Sequence, residues 1–241
     1  MLLKRAAARP MSSYPDGGSK VAGYKARYKI AILISGRGSN MAALIDACKD
    51  EDYPAEVALV LSNRADAPGL DLAKASQIPT KVIEHEGFDS REAFDEAMTE
   101  ALAAADVRLI CLAGFMRLLG AEFCQRWRDN VINVHPSLLP AFKGLHVHER
   151  MLETGVRIAG ATVHFVRPAM DEGPILVQAA VPIAADDTPD TLAARILIQE
   201  HRIYPLAVRL IAEGRARAAG GMVAIDHYPL PDQVLINPPT E

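Results

Sequence analysis

The sequence predicts an α/β fold: an open, mostly parallel twisted sheet with helices on both faces. Short apolar runs recur from residue 28 onward, and stretches whose apolar residues have helical spacing separate them. Because these runs are continuously apolar, we expect strands that are covered on both sides, as in a parallel sheet. With 241 residues, half of them apolar, the chain is long enough for one large domain core.

The first half of the chain alternates strand and helix. The run 28–34 ends at a Ser-Gly pair, and a helix opens at Ser39 with apolar residues on one face. Asp89, followed three residues later by Glu92, is a start signal for a helix that reaches Ala104. The same patterns predict strands over 57–61, 80–83, 107–112 and 131–134, and helices over 68–76 and 121–127.

The pattern changes after residue 158. The runs 161–166 and 175–183 are joined by a short connection with Pro and Gly, which is typical of two strands that meet at a loop. A long helix over 188–212 follows, and Pro205 is expected to kink it. From Gly220 onward the pattern predicts a surface meander.

Composition disfavours several classes of protein. Lys and Arg number 26 against 30 Asp and Glu, and a net charge of −4 argues against a nucleic-acid binder. No apolar run approaches the roughly 18 residues of a membrane span, so we expect a soluble protein. Three widely spaced cysteines are typical of free thiols in a reducing compartment. The sequence therefore predicts a cytoplasmic protein without nucleic-acid or membrane partners.

The N-terminal segment differs in composition from the rest. Its first 29 residues hold seven basic residues and a single acid, Asp16. We expect residues 1–28 to be a disordered basic extension; a start at Met11 and a transit peptide are the alternatives. The catalytic domain is expected over 29–218, and residues 219–241 are expected to form a tail that packs on its surface.

A glycine loop follows the first strand. The hexapeptide Ser-Gly-Arg-Gly-Ser-Asn lies between a strand and a helix, so backbone N–H groups and the helix dipole converge on an anion. Gly38, Ser39 and Asn40 are therefore phosphate-binding candidates. A dinucleotide fingerprint needs a glycine where Met41 stands and an acid after the second strand, where Ser-Asn-Arg stands. The phosphate-loop pattern of nucleotide triphosphatases is absent too, and a glycine turn with a purely structural role remains the alternative.

A second candidate site lies at the end of the strand over 131–134. Asn133 and His135 are two residues apart, so their side chains share one face at the carboxyl end, where open α/β sheets bind ligands. Pro136 favours extended geometry at His135. The imidazole can move a proton near neutral pH, and the amide can donate to a carbonyl oxygen. A histidine that only bonds a neighbouring loop is the alternative.

Asp171 is the candidate partner for the imidazole. It lies in the connection between the last two predicted strands, where it would favour the protonated form of His135 and fix its tautomer. An Asp in such a loop is otherwise an Asx-turn residue. His146 and His148 point to different faces of a helix, which disfavours a metal site. No nucleophile elbow is present, and no cysteine neighbours a histidine, so covalent catalysis is disfavoured.

Six motifs closely resemble the phosphoribosylglycinamide formyltransferase family over residues 29–215. They are ISGRGSN (34–40), LAGFMRLL (112–119), INVHPSLLPAFKGLHVHE (132–149), GATVHFV (160–166), MDEGPILVQAAVPI (170–183) and QEHRIYP (199–205). The resemblance implies the formyltransferase fold, with a Rossmann-like N-terminal half. It implies transfer of the formyl group of 10-formyltetrahydrofolate to the amine of 5'-phosphoribosylglycinamide, in purine biosynthesis.

The resemblance also assigns site residues. It makes Asn133, His135 and Asp171 catalytic, and it implies direct transfer through a tetrahedral intermediate that they stabilise. It places phosphate on Gly38, Ser39 and Asn40, the glycinamide part on Glu200, and the folate on Arg91, Met116, Arg117, Leu118 and Leu119, with no metal. Leu197 departs from the family, whose members often have a polar side chain there.

Related activities are the alternatives. A formyltetrahydrofolate deformylase shares the three catalytic residue types but delivers water and carries an N-terminal regulatory domain. A methionyl-tRNA formyltransferase shares the HPSLLP signature but adds a basic C-terminal domain. A phosphate-binding module without activity would need only the glycine loop. We expect small-molecule partners, the glycinamide ribonucleotide and the formyl folate, and a monomer or homodimer.

Overall fold

The computed structural model describes residues 26–227 and 235–238. Within them, seven strands form one sheet in the order β3-β2-β1-β4-β5-β6-β7, and a separate hairpin pairs β8 with β9. The strands are β1 (Tyr28–Ile34), β2 (Ala55–Ser62), β3 (Thr80–Val82), β4 (Leu109–Leu112), β5 (Val131–His135), β6 (Ile158–Phe165), β7 (Ile175–Pro182), β8 (Ala216–Ala219) and β9 (Met222–Ile225). The helices are α1 (Ser39–Cys48), α2 (Gly69–Ala75), α3 (Arg91–Ala104), α4 (Ala121–Arg126), α5 (Val147–Thr154) and α6 (Pro189–Ala212).

The sheet is mostly parallel, as predicted. Strands β1 to β5 pair in parallel, whereas β5 with β6 and β6 with β7 are antiparallel. The order changes direction at β1, which lies between β2 and β4. Ligands of open α/β sheets bind beside such a reversal, outside the carboxyl ends of the strands. The predicted fold class is therefore confirmed.

Helices cover both faces of the sheet, and β1 shows why its sequence is continuously apolar. Ile30, Ile32 and Ile34 pack in the core with α1 and α6, whereas Ala31 and Leu33 pack in the core with α3 and α4. All five residues are fully buried. Since successive side chains of a strand point to opposite faces, a strand between two helical layers needs apolar residues at every position.

Two predictions about local structure need correction. Helix α3 is capped by Ser90 and not by Asp89, because Ser90 Oγ accepts a hydrogen bond from Ala93 N at 3.1 Å. The region from Gly220, predicted as a meander, begins with strand β9, which pairs with β8 in a hairpin. Helix α5 has no counterpart among the predicted elements.

The predicted extension and tail fall partly outside the described residues, namely at 1–25, 228–234 and 239–241. Arg27 lies against the body: its guanidinium donates to the backbone carbonyls of Cys48 and Tyr53 at 2.5 and 3.1 Å. Helix α6 continues through Pro205. Within the described ranges, no helix is long and apolar enough to cross a membrane.

Candidate active site

A cavity of about 570 Å³ opens beside the carboxyl ends of β4 and β5. Three segments form its walls: the loop 114–119 after β4, the segment 144–148 at the start of α5, and the connection 164–171. Asn133 and His135 of β5 line its floor, and Asp171 lines its wall. The structure therefore brings the three predicted catalytic residues together in one concave site.

Antiparallel pairing builds the polar floor of this cavity. Asn133 pairs with His164 across β5 and β6, and His135 pairs with Thr162. Directly paired residues share a face of the sheet, so four polar side chains lie on one face of two otherwise apolar strands. Asn133 Nδ2 lies 3.4 Å from His164 Nε2. This register gives the asparagine amide a fixed neighbour.

His135 is held from one side by a backbone carbonyl. Its Nε2 donates to the carbonyl oxygen of Phe142 at 2.9 Å, and the residue is only 6% exposed. That bond leaves Nδ1 to face Asp171, whose Oδ2 is 3.6 Å away. The separation suits charge attraction and is too long for a direct hydrogen bond. A proton gained at Nδ1 would therefore sit beside a carboxylate.

Asp171 is fixed by its own loop. Its backbone is left-handed, with φ 55°, and its Oδ2 accepts a hydrogen bond from Gly144 N at 2.8 Å. Its Oδ1 lies 3.8 Å from His164 Nε2. The next residue, Glu172, accepts from Lys143 Nζ at 2.7 Å. These contacts join the connection between β6 and β7 to the segment before α5, so the carboxylate has a defined position.

His164 is a site residue that the sequence analysis left without a role. It is 2% exposed and lines the cavity between Asn133 and Asp171. Burial lowers its pKa, against the opposing effects of the Phe165 carbonyl and Asp171. Its Nδ1 lies 3.1 Å from the Phe165 carbonyl, so the neutral ring donates there and Nε2 accepts from Asn133. The alternation of Thr162 and His164 in an apolar strand was the available signal.

The glycine loop lies at the start of α1. Gly38 adopts a left-handed conformation, with φ 74°, directly before the helix, and Gly36 O accepts from Gly69 N at 3.1 Å. Among the residues that the structure describes, no side chain caps the helix, so the N–H groups of its first turn can meet an anion. Asn40 Nδ2 donates to Glu200 Oε2 at 2.6 Å. Helix α6 therefore brings Glu200 to the glycine loop.

Glu200 is 6% exposed, and burial raises the pKa of its carboxyl, whereas the bond from Asn40 opposes that shift. The charge of His135 acts in the same direction as that bond. Leu197, one turn before Glu200, is half-buried.

Four of the five predicted folate residues line the cavity, namely Met116, Arg117, Leu118 and Leu119. Met116 and Leu118 are 69% and 57% exposed, an unusual exposure for apolar side chains at a cavity mouth. Arg91 does not line the cavity; it lies at the start of α3 beside Gly120, where that loop ends. Within the described ranges, no group of three or more His, Cys, Asp or Glu residues could hold a metal ion.

The fold and the site define a class of α/β enzyme that has an anion-binding glycine loop beside a buried Asn, His and Asp cluster. A family model described as formyl transferase matches residues 28–208, and the chain belongs to that family. The resemblance drawn from the six motifs is thereby confirmed.

Relatives within the family are close. The phosphoribosylglycinamide formyltransferase of Haemophilus influenzae is 43% identical over 203 residues, which are 84% of this chain and 96% of that protein. The solved structure of glycinamide ribonucleotide transformylase 1 from Symbiobacterium toebii superposes with a TM-score of 0.83 at 45% identity, covering 87% of this chain and 99% of that one.

A longer relative is also similar. The trifunctional purine biosynthetic protein adenosine-3 of Bos taurus is 46% identical over 189 residues, which are 78% of this chain. The match is 19% of the bovine protein, so the chain spans about a fifth of the length of its trifunctional relatives.

Proposed function

We propose that the chain is a phosphoribosylglycinamide formyltransferase, which moves the formyl group of 10-formyltetrahydrofolate to the amine of 5'-phosphoribosylglycinamide. The observation that carries the proposal is the placement of Asn133, His135 and Asp171 in one cavity next to an uncapped, glycine-led helix start. Its relatives' names support the same reaction. The formyl folate is a co-substrate, and the reaction as proposed uses no metal.

The substrate amine attacks the formyl carbon, and negative charge develops on the formyl oxygen. Asn133 has two amide hydrogens, and His164 takes one of them, which leaves the other to donate to that oxygen. His135, protonated at Nδ1 beside Asp171, supplies the positive charge of its ring. The new C–N bond forms, the bond to the folate nitrogen breaks, and the amine proton passes to that leaving nitrogen.

Binding of the two substrates divides between the two ends of the site. We propose that Gly38, Ser39 and Asn40 hold the phosphate through backbone N–H groups, with Glu200 beside the glycinamide part. Met116, Leu118, Leu145 and Met170 are each at least half exposed around the cavity mouth, an apolar rim that fits a flat aromatic ring system. Arg117 lies in the cavity loop 114–119, and Arg91 lies beside Gly120, where that loop ends. We propose that these two guanidinium groups favour the carboxylates of a folate.

The test follows the folate chromophore with purified protein and 10-formyltetrahydrofolate, with and without glycinamide ribonucleotide. We expect turnover only when the amine is present. Turnover without the amine would indicate a deformylase, and no turnover in either case would favour a phosphate-binding module. Asn133→Ala, His135→Ala and Asp171→Asn should each lower kcat at least about 100-fold. His227→Ala, an exposed histidine outside the cavity, is the matched control and should keep full activity.

We also propose that the enzyme acts in the cytoplasm, as a monomer or homodimer, on small molecules and without nucleic-acid or membrane partners. The net charge of −4 supports the absence of nucleic acid. The proposed catalytic domain covers 29–218, with Tyr28 of β1 and Arg27 packed at its N-terminal edge, the rest of the extension before them and the tail after the domain. A truncation that keeps Arg27 and its backbone contacts should retain full turnover.

A further inference from the structure

We propose that Ser35 and Asn63 are positioning residues that hold the glycine loop and the cavity loop 114–119 in one arrangement. Neither residue lines the cavity. The inference rests on the proposed function, because it assigns the two loops to the two substrates. If the inference is correct, the buried hydroxyl of Ser35 affects the binding of both substrates.

Ser35 joins the two loops directly. It is the first residue after β1 and the first residue of the glycine loop, and it is 8% exposed. Its Oγ accepts a hydrogen bond from Met116 N at 2.8 Å, and its own N–H donates to Gly114 O at 3.1 Å. Two bonds from one residue therefore fix the beginning of the cavity loop, which lies about 80 residues away in sequence.

Asn63 sets the direction of the serine hydroxyl. It follows β2 directly, is 5% exposed, and its Oδ1 accepts from Ser35 Oγ at 2.5 Å. A hydroxyl has one hydrogen, so donation to Asn63 leaves only lone pairs to face Met116 N. The chain Met116 N–H to Ser35 O–H to Asn63 Oδ1 is therefore directional, and each bond strengthens the other.

Asn63 stands at the strand end where the dinucleotide-binding fingerprint requires an acidic residue. Dinucleotide-binding folds place an acid here to bond a ribose hydroxyl of the cofactor. In this chain an amide stands there and is already bonded to a protein hydroxyl. Asn63 therefore orders the cavity loop through Ser35 and does not itself line the cavity.

Removal of the hydroxyl would disturb both loops. Asn63 Oδ1 would lose its donor where water has little access, and Met116 N would lose its acceptor. Met116 lies within the loop 114–119 that lines the cavity, and Ser35 begins the loop that precedes α1. The same hydroxyl oxygen therefore belongs to the first residue of the glycine loop and bonds the third residue of the cavity loop.

The test compares Ser35→Ala, Asn63→Leu and the double variant in the full-length enzyme, by steady-state kinetics with both substrates. We expect KM to rise about five- to tenfold for each substrate, with kcat within about threefold of wild type. The double variant should resemble each single variant, because both changes break one hydrogen-bonded chain. Asn63→Asp keeps the acceptor atom and should keep both KM values within about threefold of wild type.

Ser62→Ala is the matched control. Ser62 is fully buried and adjacent to Asn63, but within the described part of the chain its hydroxyl bonds only the backbone of Arg64 in its own turn. It should leave both KM values unchanged even if the melting temperature falls. A change of one KM alone, or the same change in Ser62→Ala, would overturn the positioning role.

The proposed function has its own test, which is independent of these variants: it is refuted if the wild-type enzyme does not transfer formyl groups to the amine. Should Ser35→Ala not fold, the comparison of Asn63→Leu with Asn63→Asp decides between the same outcomes. Equal KM values in those two variants would refute the inference.

Discussion

Substitution of Gly173 by alanine should lower the turnover of this protein strongly while the protein remains folded. Gly173 lies two residues after Asp171, where the backbone of the connection crosses the end of β6. A Cβ atom added there would overlap the carbonyl oxygen of Phe165 and lie 3.4 Å from His164 Nδ1. Real Cβ contacts begin near 3.0 Å, so the backbone must move by more than about 1 Å.

The displacement acts on Asp171 through only two residues of chain. A misplacement of about 1 Å at a catalytic group costs roughly 100-fold in rate, so kcat should fall about 100-fold or more. Overpacking costs about 1–3 kcal/mol, and at this chain length the melting temperature should fall by roughly 2–12 °C. The protein should therefore remain folded at 25 °C while it loses most of its turnover.

The assay is formyl transfer at saturating concentrations of both substrates, beside thermal unfolding followed by circular dichroism. Gly87→Ala is the matched control, because an added Cβ there has no atom within 4 Å and lies outside the cavity. A Gly173→Ala enzyme with kcat within about threefold of wild type would refute the link between this glycine and the position of Asp171.

Three further predictions concern stability. Tyr204→Phe removes a fully buried hydroxyl that lies 2.9 and 3.2 Å from the carbonyl oxygens of β4 and β5, and should lower the free energy of unfolding by about 1–3 kcal/mol in urea titrations. Asp95→Ala removes the acceptor of Gly120 N, at 2.7 Å, and should cost about 1–3 kcal/mol in the same measurement. The Arg195 guanidinium holds the pKa of Asp187 well below its usual range, so the carboxylate stabilises the fold above about pH 4 and this contribution is lost as pH falls through the folded pKa. Asp187→Asn should therefore destabilise by about 1 kcal/mol at pH 7, with the difference from wild type shrinking progressively below pH 4 in thermal unfolding curves.

Much of the sheet could be predicted from the sequence, because burial on both faces leaves a local pattern. The bounds of β1 match the predicted run 28–34, since every one of its residues from Ile30 to Ile34 is needed by one helical layer or the other. The glycine loop could be predicted for the same reason: strand, turn and helix are adjacent in sequence, and Gly38 adopts the positive φ that a glycine permits.

The rest of the site depends on contacts between distant segments, which no local pattern records. His164 has a role only because antiparallel pairing sets it opposite Asn133. Helix α5 lies between left-handed residues at His146 and Gly155 and is eight residues long. That length is about two turns, too short for a clear helical spacing of apolar residues. In the sequence, Ser35 and Asn63 are ordinary residues at strand ends. Their role depends on Met116, which only the fold places next to Ser35.

The central place of β1 has a consequence for synthesis of the chain. Strands β1, β2 and β3 are neighbours in both sequence and sheet, so they can pair as they emerge from the ribosome. The other edge of β1 stays unpaired until β4 is synthesised, and β4 begins 75 residues after β1 ends. At about 5–20 residues per second, that apolar edge stays unpaired for about 4–15 s, an interval in which the nascent chain can pair with another copy.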